Sequence, residues 1–389
     1  MYRKGKWVSR FLELPGSFQY TPPMRTVLIL YGGKSGEHEV SLRSAASIVR
    51  HLHGRYHLLL VGIAKDGRFY LQEESYPTEV ASEGIEALAI EENPHRKVAL
   101  IPGEGFTFHG SLLPVDIVFP ILHGTFGEDG TIQGLLETLD VAYVGAGVLG
   151  SALGMDKEMA KRLWAQEGLP IVPYFTLYSQ GWKKEEELAY RYADRLGYPV
   201  FVKPACIGSS VGISKVKESK DLTKALERAF KFDHKVLLEK GIDAREIECS
   251  VLGNHNPIAF TPGEVIPTHE FYDYDAKYLD PRGAQLKIPA EIPEAAQARV
   301  KELAVRAYSS IGVEGFARVD FFLERTTGMV YLNEINTIPG FTRISMFPQM
   351  CAFDGLAYGD LLDRLLQLGW ERYQERKRLS YDYREDAHQ

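Results

Sequence analysis

Phe316-Ala-Arg-Val-Asp-Phe-Phe-Leu323 and Met329-Val-Tyr-Leu-Asn-Glu-Ile-Asn336 are two apolar runs that alternate at the two-residue period of a β-strand, with Glu324-Arg-Thr-Thr-Gly328 between them. Five residues ending in glycine suit a hairpin loop, so the spacing predicts two adjacent antiparallel strands. Side chains two apart share a face, which pairs Arg318 with Asp320 on the first strand and Glu334 with Asn336 on the second. If the two faces coincide, two carboxylates, an amide carbonyl and a cation converge. These hard oxygens suit Mg²⁺, which takes one or two carboxylates from protein and fills its shell with water and nucleotide phosphates. A solvated face of paired charges is the ordinary reading of any one such residue. It loses ground here because all four lie between apolar neighbours, where an unpaired charge is costly. The set describes a phosphoryl-transfer site.

The rest of the composition sets limits. With 389 residues, 45% hydrophobic and 25% charged, the chain has room for two or three domains with cores of their own. A net charge of -7 provides no basic field for gripping nucleic acid. Three widely spaced cysteines, Cys206, Cys249 and Cys351, form neither a disulfide scaffold nor a zinc pattern and suit a reducing cytoplasm. Residues 1–23 begin basic, but Phe11-Leu-Glu-Leu is too short and too charged for a signal-peptide core, so a loosely ordered extension is expected there.

Working outward, Thr26-Val-Leu-Ile-Leu-Tyr is a continuous apolar run of the buried parallel type, followed by Gly32-Gly-Lys-Ser-Gly-Glu-His-Glu-Val-Ser and an amphipathic segment to Leu52. A P-loop would need glycine where Leu28 stands, so that motif fails on spacing. Strands over 56–64 and 115–120 complete a βαβ-rich first domain, and the loop His123-Gly-Thr-Phe-Gly-Glu-Asp-Gly follows the last of them. Residues 73–98 read as an insertion without a legible period. Gly145-Ala-Gly-Val-Leu-Gly150 fits the dinucleotide pattern GxGxxG, but the strand expected over 171–177 ends in Tyr178-Ser-Gln without a ribose-binding carboxylate. An NAD-dependent oxidoreductase is the alternative of a different class.

From 146 to 241 helices and strands alternate. Helices are expected from Met155, over 183–196 and over 221–232. The strand Tyr198-Pro-Val-Phe-Val-Lys203 leads into Ala205-Cys-Ile-Gly208-Ser-Ser-Val-Gly212, small residues whose backbone N–H groups can close over a triphosphate beside Lys203. Val236-Leu-Leu-Glu239-Lys-Gly is a strand ending in polar groups suited to an adenine edge. Cys206 is expected to be a small thiol rather than a nucleophile. Residues 358–378 read as an amphipathic helix and 379–389 as a charged tail.

His38-Glu39-Val-Ser41, the His123 loop, Met155-Asp-Lys157, the Lys203 to Gly212 run, Leu238-Glu-Lys, Tyr272-Asp-Tyr-Asp-Ala-Lys-Tyr278 and Asn333-Glu-Ile-Asn-Thr-Ile-Pro-Gly-Phe-Thr together closely resemble the D-alanine–D-alanine ligases of the ATP-grasp superfamily, in order from about residue 24 to about 369. The resemblance implies an α/β, three-domain ATP-grasp architecture: a Rossmann-like α/β domain at 24–145, a lid-bearing domain at 146–241 and a catalytic domain at 242–378. It implies a cytoplasmic and dimeric ligase that joins two D-alanine molecules through an acyl phosphate for peptidoglycan synthesis. ATP and Mg²⁺ are the implied cofactors, with two ions and Mn²⁺ as substitute; nucleic acid and membrane are not expected as partners.

By position, the resemblance puts Lys157, Lys203, Gly208, Ser209, Ser210, Glu239, Lys240, Ile242 and Glu246 on ATP and Asp320, Glu334 and Asn336 on the metal. Glu39, Ser209 and Tyr278 would form a triad closing the site, with Glu39 on the amino group of the first D-alanine. Arg318 and the Gly340 N–H would hold the oxyanion. His123, Lys277, Ser345 and Met346 would bind substrate, and Glu128 would orient the His123 loop. Relatives that join D-alanine to D-lactate or D-serine differ in the loop around Tyr278, which here reads Asp275-Ala-Lys-Tyr, the form associated with dipeptide synthesis.

Overall fold

Three larger sheets succeed one another along the chain, beside a small antiparallel one of Ala99–Ile101, Gly105–Phe108 and Ser111–Leu112, in a computed structural model that describes residues 26–184, 186–267 and 284–381. The extension at 1–23 and the loop carrying Lys277 and Tyr278 lie outside the described residues. The first sheet has the order Phe69–Leu71, His57–Ile63, Thr26–Gly32, Ile117–Ile121, Ala142–Tyr143. All its neighbours run parallel except the Phe69–Leu71 edge. Thr26–Gly32 is buried along its whole length, as a continuous apolar run at the centre of a covered parallel sheet must be. The loops after Gly32 and Ile121 therefore leave the same edge, at the carboxyl ends of adjacent strands. The stretch without a legible period contains the helix Tyr76–Glu83 and a single 3₁₀ turn, Pro94–Arg96, tied back by Arg96 Nε to the Leu71 carbonyl at 2.6 Å.

The second sheet is antiparallel, in the order Ser214–Val216, Val200–Pro204, Lys235–Lys240, Tyr174–Tyr178. Glu186–Leu196 and Leu222–Ala229 pack on it through Ala189, Ala193, Leu222 and Leu226. The third sheet carries Ala284–Lys287, Gly263–Pro267, Ala244–Leu252, Phe316–Glu324 and Val330–Asn336 in that order. The hairpin expected at 316–336 is its outer pair.

Cores are not confined to sheets. One apolar cluster runs from Val27, Ile29 and Phe119 in the first sheet through Phe316, Phe341 and Phe347 to Leu361, Leu362 and Leu365 in the helix Tyr358–Lys377. That last helix thus covers the first sheet. The GxGxxG glycines do open a helix, Val148–Met155, but they serve close packing. A Cβ on Gly150 would sit 2.6 Å from the Gly312 carbonyl oxygen, and one on Gly315 3.1 Å from the Gly145 Cα. No helix among the described residues is long and apolar enough to cross a membrane.

Candidate active site

The hairpin register sets Arg318 opposite Asn336 and Asp320 opposite Glu334, so the two faces coincide. Arg318 grips Asp320 with two hydrogen bonds of 2.7 Å, from Nε and Nη2, and its Nε also lies 3.1 Å from Glu248 Oε2. Asn336 Nδ2 donates to Asp320 Oδ2 at 2.9 Å, which commits the amide nitrogen to protein. Lys157 Nζ stands 3.6 Å from Glu334 Oε2 and donates to the Ile207 carbonyl at 2.9 Å. Burial opposes the Arg318 charge, but the Asp320 and Glu248 carboxylates more than reverse it and lock the guanidinium cationic. Glu248 reaches this cluster because its strand pairs it directly with Asp320.

Among the described residues no three His, Cys, Asp or Glu side chains are arranged to hold a metal by themselves. The donors at hand, two carboxylates and an amide carbonyl on neighbouring strands, fit a cation that draws its remaining oxygens from phosphates and water.

A second charged cluster joins the middle sheet to the helix Lys157–Gln166. Lys203 pairs in register with Leu237, two residues from Glu239, so the two side chains are diagonal neighbours on one face and form an ion pair. Lys161 Nζ, one turn after Lys157, approaches the other Glu239 oxygen at 2.8 Å, and both side chains are only 1% exposed. Burial works against the Glu239 carboxylate, yet Lys161 and Lys203 hold its pKa below the ordinary value. Lys203 also lies 3.5 Å from Asn333 Oδ1 and over the Phe322 ring, where the middle and third sheets meet. Lys240 is exposed, Ile242 half-buried, and Glu246 sits two residues before Glu248 on the same strand face.

The run from Gly208 to Gly212 bends through left-handed backbone at Ser209 (φ 51°), Ser210 (φ 59°) and Gly212 (φ 74°). Non-glycine residues adopt that region at a cost and mostly where the surroundings enforce it. Here the Ser209 hydroxyl donates to Glu37 Oε1, docking the loop against the first domain. Glu37, rather than Glu39, is therefore the glutamate that meets Ser209. Glu39 points outward and pairs with Lys65 at 2.8 Å. Glu37 stands at the N-cap position of the helix His38–Leu52 without a side-chain cap, and positions two apart there face opposite sides, so only one of the two glutamates turns inward. Gly124 and Gly208 leave room for it: a Cβ on either would come within 2.5 Å and 3.1 Å of Glu37 Oε2. Tyr278, the third member expected of the triad, and Lys277 lie outside the described residues.

His123, expected near the first substrate carboxylate, is fixed by partners within the protein. Its Nδ1 meets the Ile338 carbonyl at 2.8 Å and its Nε2 meets Ser44 Oγ at 3.0 Å, so both ring nitrogens are engaged within the protein. Glu128 Oε1 lies 3.7 Å from Nδ1. Burial pulls the imidazole pKa down, but Glu128, Glu37 and the Ile338 carbonyl together outweigh it and the pKa rises; burial also raises that of the Glu128 carboxyl. His38 is buried and structural, its Nδ1 2.7 Å from the Gly33 carbonyl oxygen. Ser345 precedes the helix Met346–Phe353 at its N-cap position without capping it, its Oγ accepts the Thr342 N–H at 3.1 Å, and a Cβ on Gly340 would lie 3.2 Å from that oxygen. Met346 is buried against Gly263. Burial pushes the Cys206 thiol up to about 12, which keeps it inert.

Four residues of this site escaped the sequence reading: Glu37, Ser44, Lys161 and Glu248. Each left a signal, in a second glutamate two positions from the chosen one, in the buried stripe Ser41, Ser44, Ser47, in a lysine one helical turn from Lys157, and in a carboxylate two positions from Glu246.

Two family models match this chain: D-ala D-ala ligase N-terminus over residues 26–146 and D-ala D-ala ligase C-terminus over 163–367. The D-alanine--D-alanine ligase of Treponema denticola is 46% identical over 360 residues, spanning 91% of this chain and 98% of that protein. One from Thermoanaerobacter sp. is 47% identical over 359 residues, with 91% and 99% covered. Among solved structures, the D-alanine-D-alanine ligase from Coxiella burnetii superposes with a TM-score of 0.79 at 34% identity, covering 95% of this chain and 100% of that one. The VanG D-Ala:D-Ser ligase from Enterococcus faecalis gives 0.76 at 33%, covering 89% and 99%.

Proposed function

Because the chain belongs to the D-alanine–D-alanine ligase family, we propose that it joins two D-alanine molecules into D-alanyl-D-alanine while ATP becomes ADP and phosphate. The observation that carries this reading is the Glu37–Ser209 contact. It closes the loop from Gly208 to Gly212 beside a face that gathers Arg318, Asp320, Glu334 and Asn336.

In this mechanism, the nucleotide lies between the middle and third sheets. Lys203 and Lys157 hold its phosphates, Glu239 with the backbone of Lys240 and Ile242 meets the adenine, and Glu246 meets the ribose. Asp320, Glu334 and Asn336 would hold Mg²⁺, which would supply positive charge to a transferring phosphoryl group. Glu37 holds the ammonium group of the first D-alanine. Its carboxylate oxygen attacks the γ-phosphorus, the bond to the β-phosphate oxygen breaks, and ADP leaves. The docked Ser209 and Ser210 loop keeps water from the acyl phosphate. A second D-alanine, its carboxylate at Ser345 and the Met346 N–H, attacks the acyl carbon with its deprotonated amine. Arg318 and the Gly340 N–H stabilise the tetrahedral oxyanion, a contribution of about 3 kcal/mol per donor. The C–O bond to phosphate then breaks, the nitrogen loses its remaining extra proton, and phosphate and dipeptide leave.

The units 24–145, 146–241 and 242–378 act as substrate-binding, lid-bearing and catalytic domains of a cytoplasmic homodimer in this reading. Purified protein supplied with ATP, Mg²⁺ and D-alanine should release ADP, phosphate and the dipeptide in equal amounts. Silence with D-alanine but turnover with added D-serine or D-lactate would move the assignment to a relative of the same family. NAD reduction without ADP release would overturn it.

A further inference from the structure

We propose that Ser44 is a positioning residue which, with His123, clamps the 338–341 turn and aims the Gly340 N–H. The proposal rests on the reading of Gly340 as an oxyanion donor. A serine inside a helix ordinarily bonds back to its own helix or faces solvent. Ser44, fully buried on the helix His38–Leu52, instead reaches two other elements.

Two of the hydrogen bonds have a fixed direction. The Ile338 carbonyl can only accept, so His123 Nδ1 carries a proton across the 2.8 Å contact. Nε2 accepts the Ser44 hydroxyl at 3.0 Å when the ring is neutral and donates to the Ser44 oxygen when it is charged, and in either state that oxygen accepts the Phe341 N–H at 3.3 Å. The cycle begins and ends on the same turn, and Gly340 lies between its two anchor points. A third tie comes from Tyr358, whose hydroxyl donates to the Phe341 carbonyl at 2.5 Å and lies 3.1 Å from Ser47 Oγ, one turn along the helix from Ser44. Both backbone groups of Phe341 are thus held by side chains. The turn has no regular ladder to fix it, so its aim depends on these ties.

The test uses Ser44→Ala and Tyr358→Phe in the full chain. A sub-ångström to ångström shift of an oxyanion donor costs rate far more than ground-state binding. Each variant should therefore lose about 10- to 100-fold in kcat, and a similar factor in affinity for a phosphinate dipeptide that mimics the tetrahedral adduct. The KM for ATP should stay within about twofold, because no nucleotide contact is touched. A merely structural role would instead lower kcat and ATP binding together, in step with the melting temperature, and that outcome overturns the proposal. Unchanged kcat and phosphinate affinity in either folded variant overturn it too. Should Ser44→Ala fail to fold, Tyr358→Phe, which keeps its ring, carries the test. A wild-type enzyme that releases no ADP with D-alanine sinks the ligase reading instead, so the two failures are distinguishable.

Discussion

Two glutamates two positions apart have opposite fates. Glu37 meets Ser209, whereas Glu39 stands in solvent with Lys65, whose hydrogen bond holds its carboxyl below the usual range. Exposed pairs of that kind contribute about 0–1 kcal/mol. Glu39→Gln should therefore keep kcat/KM for D-alanine within about twofold, while Glu37→Gln should lower it by about 100-fold, the expected loss when one partner of a sequestered charge pair is neutralised. Steady-state assays of both variants check this, and equal losses would return Glu39 to the site. Lys161 is a second residue-scale case. Replacing it with Met removes one of the two cations on a carboxylate that water barely reaches, and should cost about 3–5 kcal/mol in urea unfolding. A loss below about 1 kcal/mol would mean that Lys203 alone neutralises Glu239. Sequence periodicity named the helix that carries Lys161 but not its partner, because Glu239 lies on a strand of the middle sheet far along the chain.

At the scale of elements, the loop following Ile121 couples His123 and Glu128 beneath the first sheet. Both groups have raised pKa values, so the folded protein binds more protons than the unfolded chain between the unfolded carboxyl value, about 4.3, and the folded values of the pair. Their stabilisation is fully present at low pH and is lost as pH rises through those folded values. Replacing Glu128 with Gln imitates its protonated form and relieves the pull on His123. Melting temperatures across pH 5 to 8 should then fall less steeply for Glu128→Gln than for the wild type; parallel curves would refute the coupling. The 316–336 hairpin was the most legible element, since alternation and a five-residue loop are local signals. Its bulge between Asp320 and Phe321 left no such mark.

The first and third sheets are tied together by a core that passes through Phe316, Phe341 and Phe347 to the final helix, while the middle sheet keeps a core of its own and meets the third through the polar contacts of Lys157 and Lys203. Ligand that binds only the folded state at a hundred times its Kd adds about 2.7 kcal/mol to the stability of the units it bridges. MgATP should accordingly raise the melting temperature of the wild type, and a chelator should remove part of that rise. In Glu334→Gln the chelator-sensitive part should vanish while folding without ligand is retained, because the proposed metal ligand loses its charge at a position that is 26% exposed. A full Mg²⁺-dependent shift in that variant would remove Glu334 from the metal.

By itself, the sequence determined the central strands of the first two sheets, the 316–336 hairpin with Arg318, Asp320, Glu334 and Asn336 on one face, and the resemblance to a particular ligase family, since periodicity, turn residues and motif spacing are written locally. Tertiary structure alone decided that Glu37 rather than Glu39 faces Ser209, that His123 spends both nitrogens on Ser44 and Ile338, that Lys161 pairs with Glu239, and that the helix Tyr358–Lys377 covers the first sheet. Each depends on which faces of distant elements are pressed together. The free energy that presses them comes from burying apolar surface, which is non-directional and leaves polar partners to be settled by the geometry of packing.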